Sequence, residues 1–150
     1  MSKNTGENKF RTVDVDDFDE DKFHDDNDGT DGGSVQPQID EIKGFLQKGQ
    51  NQDALKAALS NPPLAADKSS KDKYFQQTLN VLTAFRSSEL DKAVASLSAI
   101  EVDVLMKYLY RAFSEPTEKS CAIILQWHEK AVAIGGLGSI VRTLTDRKTV

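Results

Sequence analysis

An all-α body preceded by an extended acidic N-terminal arm is the fold the sequence predicts, and three observations predict it. From Ile39 to Leu144 the apolar residues recur at spacings of three and four, the period of one face of a helix. The body holds no useful run in which apolar and polar residues alternate one by one, as in a half-buried strand. The charge, finally, is lopsided. Residues 1–34 carry 11 Asp/Glu against 4 Lys/Arg, while residues 35–150 carry 13 against 15. The formal net charge of −5 therefore belongs to the first quarter of the chain.

The division falls at residues 1–35 for the arm and linker and 36–150 for the body. Between Asp14 and Asp31 ten acidic residues surround one Lys, and like charges at that density oppose compaction. Gly29-Thr-Asp-Gly-Gly-Ser34 has the composition of a flexible linker. Yet Phe10, Phe18 and Phe23, three of the chain's seven phenylalanines, lie here with Val13 and Val15. Apolar residues spaced through acidic ones are suited to anchoring: each fills a pocket while the carboxylates meet a basic rim. The arm is expected to be disordered or extended alone and to order on a partner.

Seven helices are expected in the body. The first carries Ile39, Ile42, Phe45 and Leu46 and stops at Gly49. The second, from Asp53 to Ser60, ends at Asn61-Pro62-Pro63, since each proline lacks an amide donor and clashes with the preceding turn. The third spans 70–86 with Phe75, Leu79, Leu82 and Phe85 inward. Ser88 through Asp91 has the spacing of an N-capping box, with Asp in place of the usual Glu or Gln. Behind it comes a fourth stripe, Leu90, Ala93, Val94 and Leu97. The fifth holds Val102, Leu105, Met106, Leu109 and Phe113 and stops before Pro116. Thr117 is the N-cap candidate of the sixth, which runs to Ile134 and is apolar nearly all round, the pattern of a helix buried among others. Gly135-Gly136 ends it, and Leu137, Ile140, Val141 and Leu144 form a seventh stripe. Short loops imply sequential antiparallel packing. No internal repeat of fixed period is evident.

The same residues exclude several kinds of chemistry. A lone cysteine, Cys121, rules out an internal disulfide framework. No stretch reaches the roughly 18 apolar residues of a membrane span, no secretory or lipidation signal stands at either end, and a cytoplasmic protein is expected. A near-neutral body with a negative arm does not suit nucleic acid. Placing Gly29 or Gly32 at the sixth position of a calcium loop leaves the other ligand positions unfilled. Gly135-Gly-Leu-Gly-Ser139 lacks the strand before it and the Lys-Ser/Thr that phosphate loops need, so it reads as a helix stop. Cys121 and His128 share a helical face but lie about 10 Å apart along the axis, too far for direct proton transfer. Neither an enzyme, a cofactor nor a metal site is expected. What remains is a docking body with a tethering arm.

Particular runs go further. Phe10-Arg-Thr-Val-Asp-Val-Asp-Asp-Phe-Asp-Glu-Asp-Lys-Phe23 closely resembles the N-terminal arm of the actin-related protein 2/3 complex subunit 5 family. Val104-Leu-Met-Lys-Tyr-Leu-Tyr110, Leu125-Gln-Trp-His-Glu-Lys-Ala131, Gly135-Gly-Leu-Gly-Ser-Ile-Val-Arg142 and Arg147-Lys-Thr-Val150 resemble the same family, in order and over essentially the whole chain. The resemblance implies a seven-helix α-solenoid-like body and a noncatalytic subunit of a seven-protein assembly that nucleates branched actin filaments in the cytoplasm, at the actin-rich cortex and projections. It implies docking of the body on the β-propeller subunit and on subunit 4, and an arm that tethers the actin-related protein 2 subunit. Actin filaments would be met through the assembled complex, and no homo-oligomer is implied. Carried onto this sequence, the arm contacts fall on Phe10, Arg11, Val13, Val15, Phe18 and Phe23. On the body, Tyr108, Tyr110 and Trp127 are docking candidates, with ordinary core aromatics as the other reading. Asp146 departs from the family pattern and puts an acid near a helix C-terminus, where the dipole disfavours it. A freestanding acidic-armed adaptor for another basic partner is the alternative function.

Overall fold

The computed structural model describes residues 35–115 and 121–150. The arm, with Phe10, Arg11, Val13, Val15, Phe18 and Phe23, lies outside the described residues, as does Thr117. Every regular element among the described residues is helical: α1 (Val35–Gln47), α2 (Asn51–Ser60), α3 (Lys68–Thr83), a 3₁₀ turn (Ser87–Glu89), α4 (Leu90–Ala95), α5 (Ala99–Ser114) and α6 (Cys121–Thr145).

Local chemistry sets the ends. Helix α1 closes as the sequence predicts at Gly49, whose φ of 72° is the left-handed conformation that only glycine adopts without steric cost. There the Gly49 amide donates to the Leu46 carbonyl (3.0 Å) and the Gln50 amide to that of Phe45 (2.9 Å), the paired bonds that satisfy a helix's last carbonyls. Helix α3 starts two residues earlier than expected, because the Asp67 carboxylate caps it by accepting the Ser70 amide at 3.1 Å. Bonds from Ser70, first through its side chain and then its amide, hold that carboxyl below its ordinary value. The capping box expected at Ser88–Asp91 is not formed: the 3₁₀ turn occupies that stretch and α4 begins with no side-chain cap. The box stands at α5 instead, where Ser98 Oγ accepts the Glu101 amide (3.3 Å) and Glu101 Oε2 accepts the Ser98 amide (2.7 Å). Glutamate's longer arm reaches back to the cap amide, which gives Ser98–Glu101 the pairing that Ser88–Asp91 lacks.

Helix α5 is the centre of the body. It packs against α2, α3 and α6 and buries Leu105, Met106, Tyr108 and Leu109 almost completely. Helix α1 touches α3 as well as α2, and α2 also touches α5, so the helices gather round a shared core. Helix C-termini abut this core, and their carbonyls need donors. The Tyr74 hydroxyl supplies one to Ala58 O in the last turn of α2 (3.1 Å). Trp127 Nε1 supplies another to Leu82 O near the end of α3 (3.0 Å), while its ring stands edge-on to Phe85 at 5.2 Å.

Six α-helical ranges are found among the described residues, where seven helices were expected. The expected sixth and seventh both fall in α6, which leaves helical geometry at Gly136 (φ 64°, ψ −175°). Contacts with α5 show what that break does. His128 lies 5.7 Å from the Tyr110 ring, and a side chain on Gly135 would press on Val102, so the chain runs antiparallel to α5 up to the break. Beyond it Arg142 pairs with Asp103, Asp146 with Lys107, and Arg111 with the carbonyl of Val150, so the direction is reversed. The Gly135-Gly136 stop read from the sequence is a chain reversal.

Candidate functional site

The sixth helix read from the sequence, to Ile134, was expected to be buried because it is apolar nearly all round. The structure buries Ile124, Trp127 and Ala131 but leaves Leu125 and Ile134 60 and 53% exposed. In the expected seventh stripe, Leu137, Val141 and Leu144 are 75, 58 and 66% exposed. Only Ile124, Trp127, Ala131 and Ser139 of α6 are buried. After the reversal the amphipathic rule is inverted. Ser139, small and polar, faces inward with its hydroxyl bonded to Gly136 O (2.8 Å), and Ile140 is half-buried. Leu137, Val141 and Leu144, which share a face by their spacing of four and three, point to solvent. Together they expose on the order of 300 Å² of apolar surface, comparable with the largest, often functional, patch on an ordinary monomer.

This face runs through Thr143 and Leu144 into a cleft of about 640 Å³, lined also by Lys68, Lys71, Lys107, Arg111 and Lys148. Its floor is the chain's last residues, pinned from three helical turns. Lys71 Nζ donates to Thr149 O (3.0 Å), Lys107 Nζ to Lys148 O (3.1 Å) and Arg111 Nη1 to Val150 O (2.8 Å), and the Val150 side chain is buried. Arg111 is itself fixed by the Asp72 carboxylate and by the Phe75 face 4.4 Å away. Asp146, expected to sit badly near a helix C-terminus, is instead bridged to Lys107 and accepts the Lys148 amide at 3.0 Å. Those bonds, the one from Lys107 first, lower its pKa and outweigh an unfavourable dipole that is screened at the surface.

Of the body residues singled out from sequence, Trp127 and Tyr108 are 0 and 1% exposed. They are core side chains and present nothing to a partner. Burial pushes the Tyr108 phenol far above its ordinary value, so it stays neutral. Tyr110 is half-buried, edge-on to Phe113 and His128, and also lines the cleft. The structure does not bring the three together as a surface. The residues that sequence reasoning missed as surface are Leu125, Ile134, Leu137, Val141 and Leu144. One signal was available: a segment apolar on every side, attached to a body already supplied with a core, has one side left over.

The described residues form a helical body with its own core and a further apolar face outside it. Its family follows from comparison with known proteins. The family model of the ARP2/3 complex 16 kDa subunit (p16-Arc) matches residues 9–150. The chain is 48% identical over 153 residues to the human actin-related protein 2/3 complex subunit 5-like protein, covering all of both chains. It is 47% identical over 152 residues to subunit 5-B of Xenopus laevis, again covering both. To subunit 5 of Saccharomyces cerevisiae it is 32% identical over 117 residues, 77% of this chain and 76% of that one. The chain belongs to the actin-related protein 2/3 complex subunit 5 family.

Proposed function

We propose that this chain is a noncatalytic structural subunit of an actin-related protein 2/3 complex, the assembly that nucleates branched actin filaments. Its body docks on the β-propeller subunit and subunit 4, and its arm tethers the actin-related protein 2 subunit through Phe10, Arg11, Val13, Val15, Phe18 and Phe23. The observation that carries this reading is the match to the family over residues 9–150, which takes in both the arm and the exposed α6 face.

Magnitudes favour two points of attachment. Burying about 300 Å² of apolar surface is worth roughly 7 kcal/mol gross at ~25 cal/mol per Å², comparable with the ~4–15 kcal/mol cost of association. The Leu137–Val141–Leu144 stripe alone gives marginal docking. An arm fixed to a docked body presents its anchors at an effective concentration of up to ~mM, so weak contacts at each end suffice together. The test is to replace Phe10, Phe18 and Phe23 with alanine and measure branching by the purified assembly. Retained assembly with slower branching makes the arm a tether; unchanged branching removes that role.

A further inference from the structure

Resting on the subunit reading, we infer that the Leu137–Val141–Leu144 face and the adjoining cleft form one continuous groove for a partner helix of defined polarity: an apolar ridge ending in a cluster of carboxylates. Residues 130–145 contain Lys130 and Arg142 and no acid. Four acids of the surroundings are matched to cations of this chain, while Asp67 and Glu101 accept backbone amides and Glu115 shares Arg111 with Asp72. Asp91 pairs with Lys130 (2.8 Å), Asp103 with Arg142 (2.7 Å), and Asp72 and Asp146 with Arg111 and Lys107. The cationic groups in excess are therefore at one end, Lys68 and Lys148 in the cleft wall with Arg147 beside them.

The surface is thus apolar at Leu137, beside the mutually neutralised Arg142–Asp103 pair, and positively rimmed where Leu144 enters the cleft. Gly138 lies beside the stripe on the same helix, its open side covered by the Arg142 guanidinium. A helix with large apolar residues at i, i+3 or i+4, and i+7 covers such a stripe. Carboxylates at the end lying over Leu144 meet the surplus cations, and the reversed orientation leaves them beside Leu137, where Arg142 is already paired with Asp103. A second copy of this chain does not satisfy this rule, because its own stripe has no acids to offer.

The test uses the full chain in the reconstituted complex, with Val141→p-benzoylphenylalanine and, separately, Lys148→p-benzoylphenylalanine, followed by photolysis and peptide mapping. Co-elution with the other subunits reads the subunit assignment independently of any crosslink. The inference predicts that both positions crosslink to one helical segment of another subunit, apolar at the 141 site and rich in Asp/Glu within two turns of the 148 site. Reversing charge with Arg147→Glu and Lys148→Glu should lower that subunit's retention at least tenfold, with the helical melting curve unchanged. No crosslink from 141 within an assembled complex, a basic or uncharged segment at 148, or a crosslink to a second copy of this chain would each overturn it.

Discussion

Gly136 carries more of the fold than any side chain near it. Its φ of 64° with ψ of −175° lies in a region open essentially to glycine alone, and another residue there costs about 1–3 kcal/mol. Gly136→Ala should therefore lower the melting temperature by roughly 5–15 °C. Gly44→Ala, in open space on α1, should raise stability by about 0.5–1 kcal/mol; thermal melts of the two variants check both signs. Asp146 gives a pH dependence. Its folded pKa lies below the unfolded value of 3.8, so its contribution is complete above that value and is lost as pH falls through the lower folded one. Asp146→Asn should speed amide exchange across residues 146–150 near neutral pH, with the difference shrinking as the pH is taken below the folded-state pKa. The polar tip of Trp127 explains why sequence misplaced it. A large amphipathic side chain suits an interface as well as a core, and only the three-dimensional neighbour, the Leu82 carbonyl, decides between them.

Among the elements, the periodicity of three and four located α1 to α5 closely, because each has a single apolar face. Ends were legible where the signal is backbone chemistry, as at Gly49 and Gly136. They were not where two Ser-x-x-acid spacings stand ten residues apart, since both fit the pattern and only the glutamate one closes a box. Ser98→Ala should cost about 1 kcal/mol, and Ser88→Ala should be close to neutral by chemical denaturation. The exposed apolar side chains of α6 escape the sequence reading for a different reason. Hydrophobicity reports that a surface is to be covered, and the same pattern serves whether the cover is this chain's own core or another protein. Val141→Asp should leave the melting curve within about 0.5 kcal/mol of wild type while sharply reducing incorporation into the assembly, as a pull-down of the reconstituted complex would show.

For the whole molecule, a complete core under α5 and an uncovered face on α6 divide the labour between folding and assembly. The core aromatics cap buried helix ends and hold the body, and the tail is clamped by Lys71, Lys107 and Arg111, which keeps the cleft beside Leu144 in shape. The outward leucines and valine contribute nothing to that core and are costly in water, which makes sense in a chain that spends its life docked. The measurement that tests this most directly is size-exclusion chromatography of native lysate with detection of this chain. Elution with a large assembly containing two actin-like proteins is the predicted result. Elution as a free chain near 16.6 kDa would contradict the account.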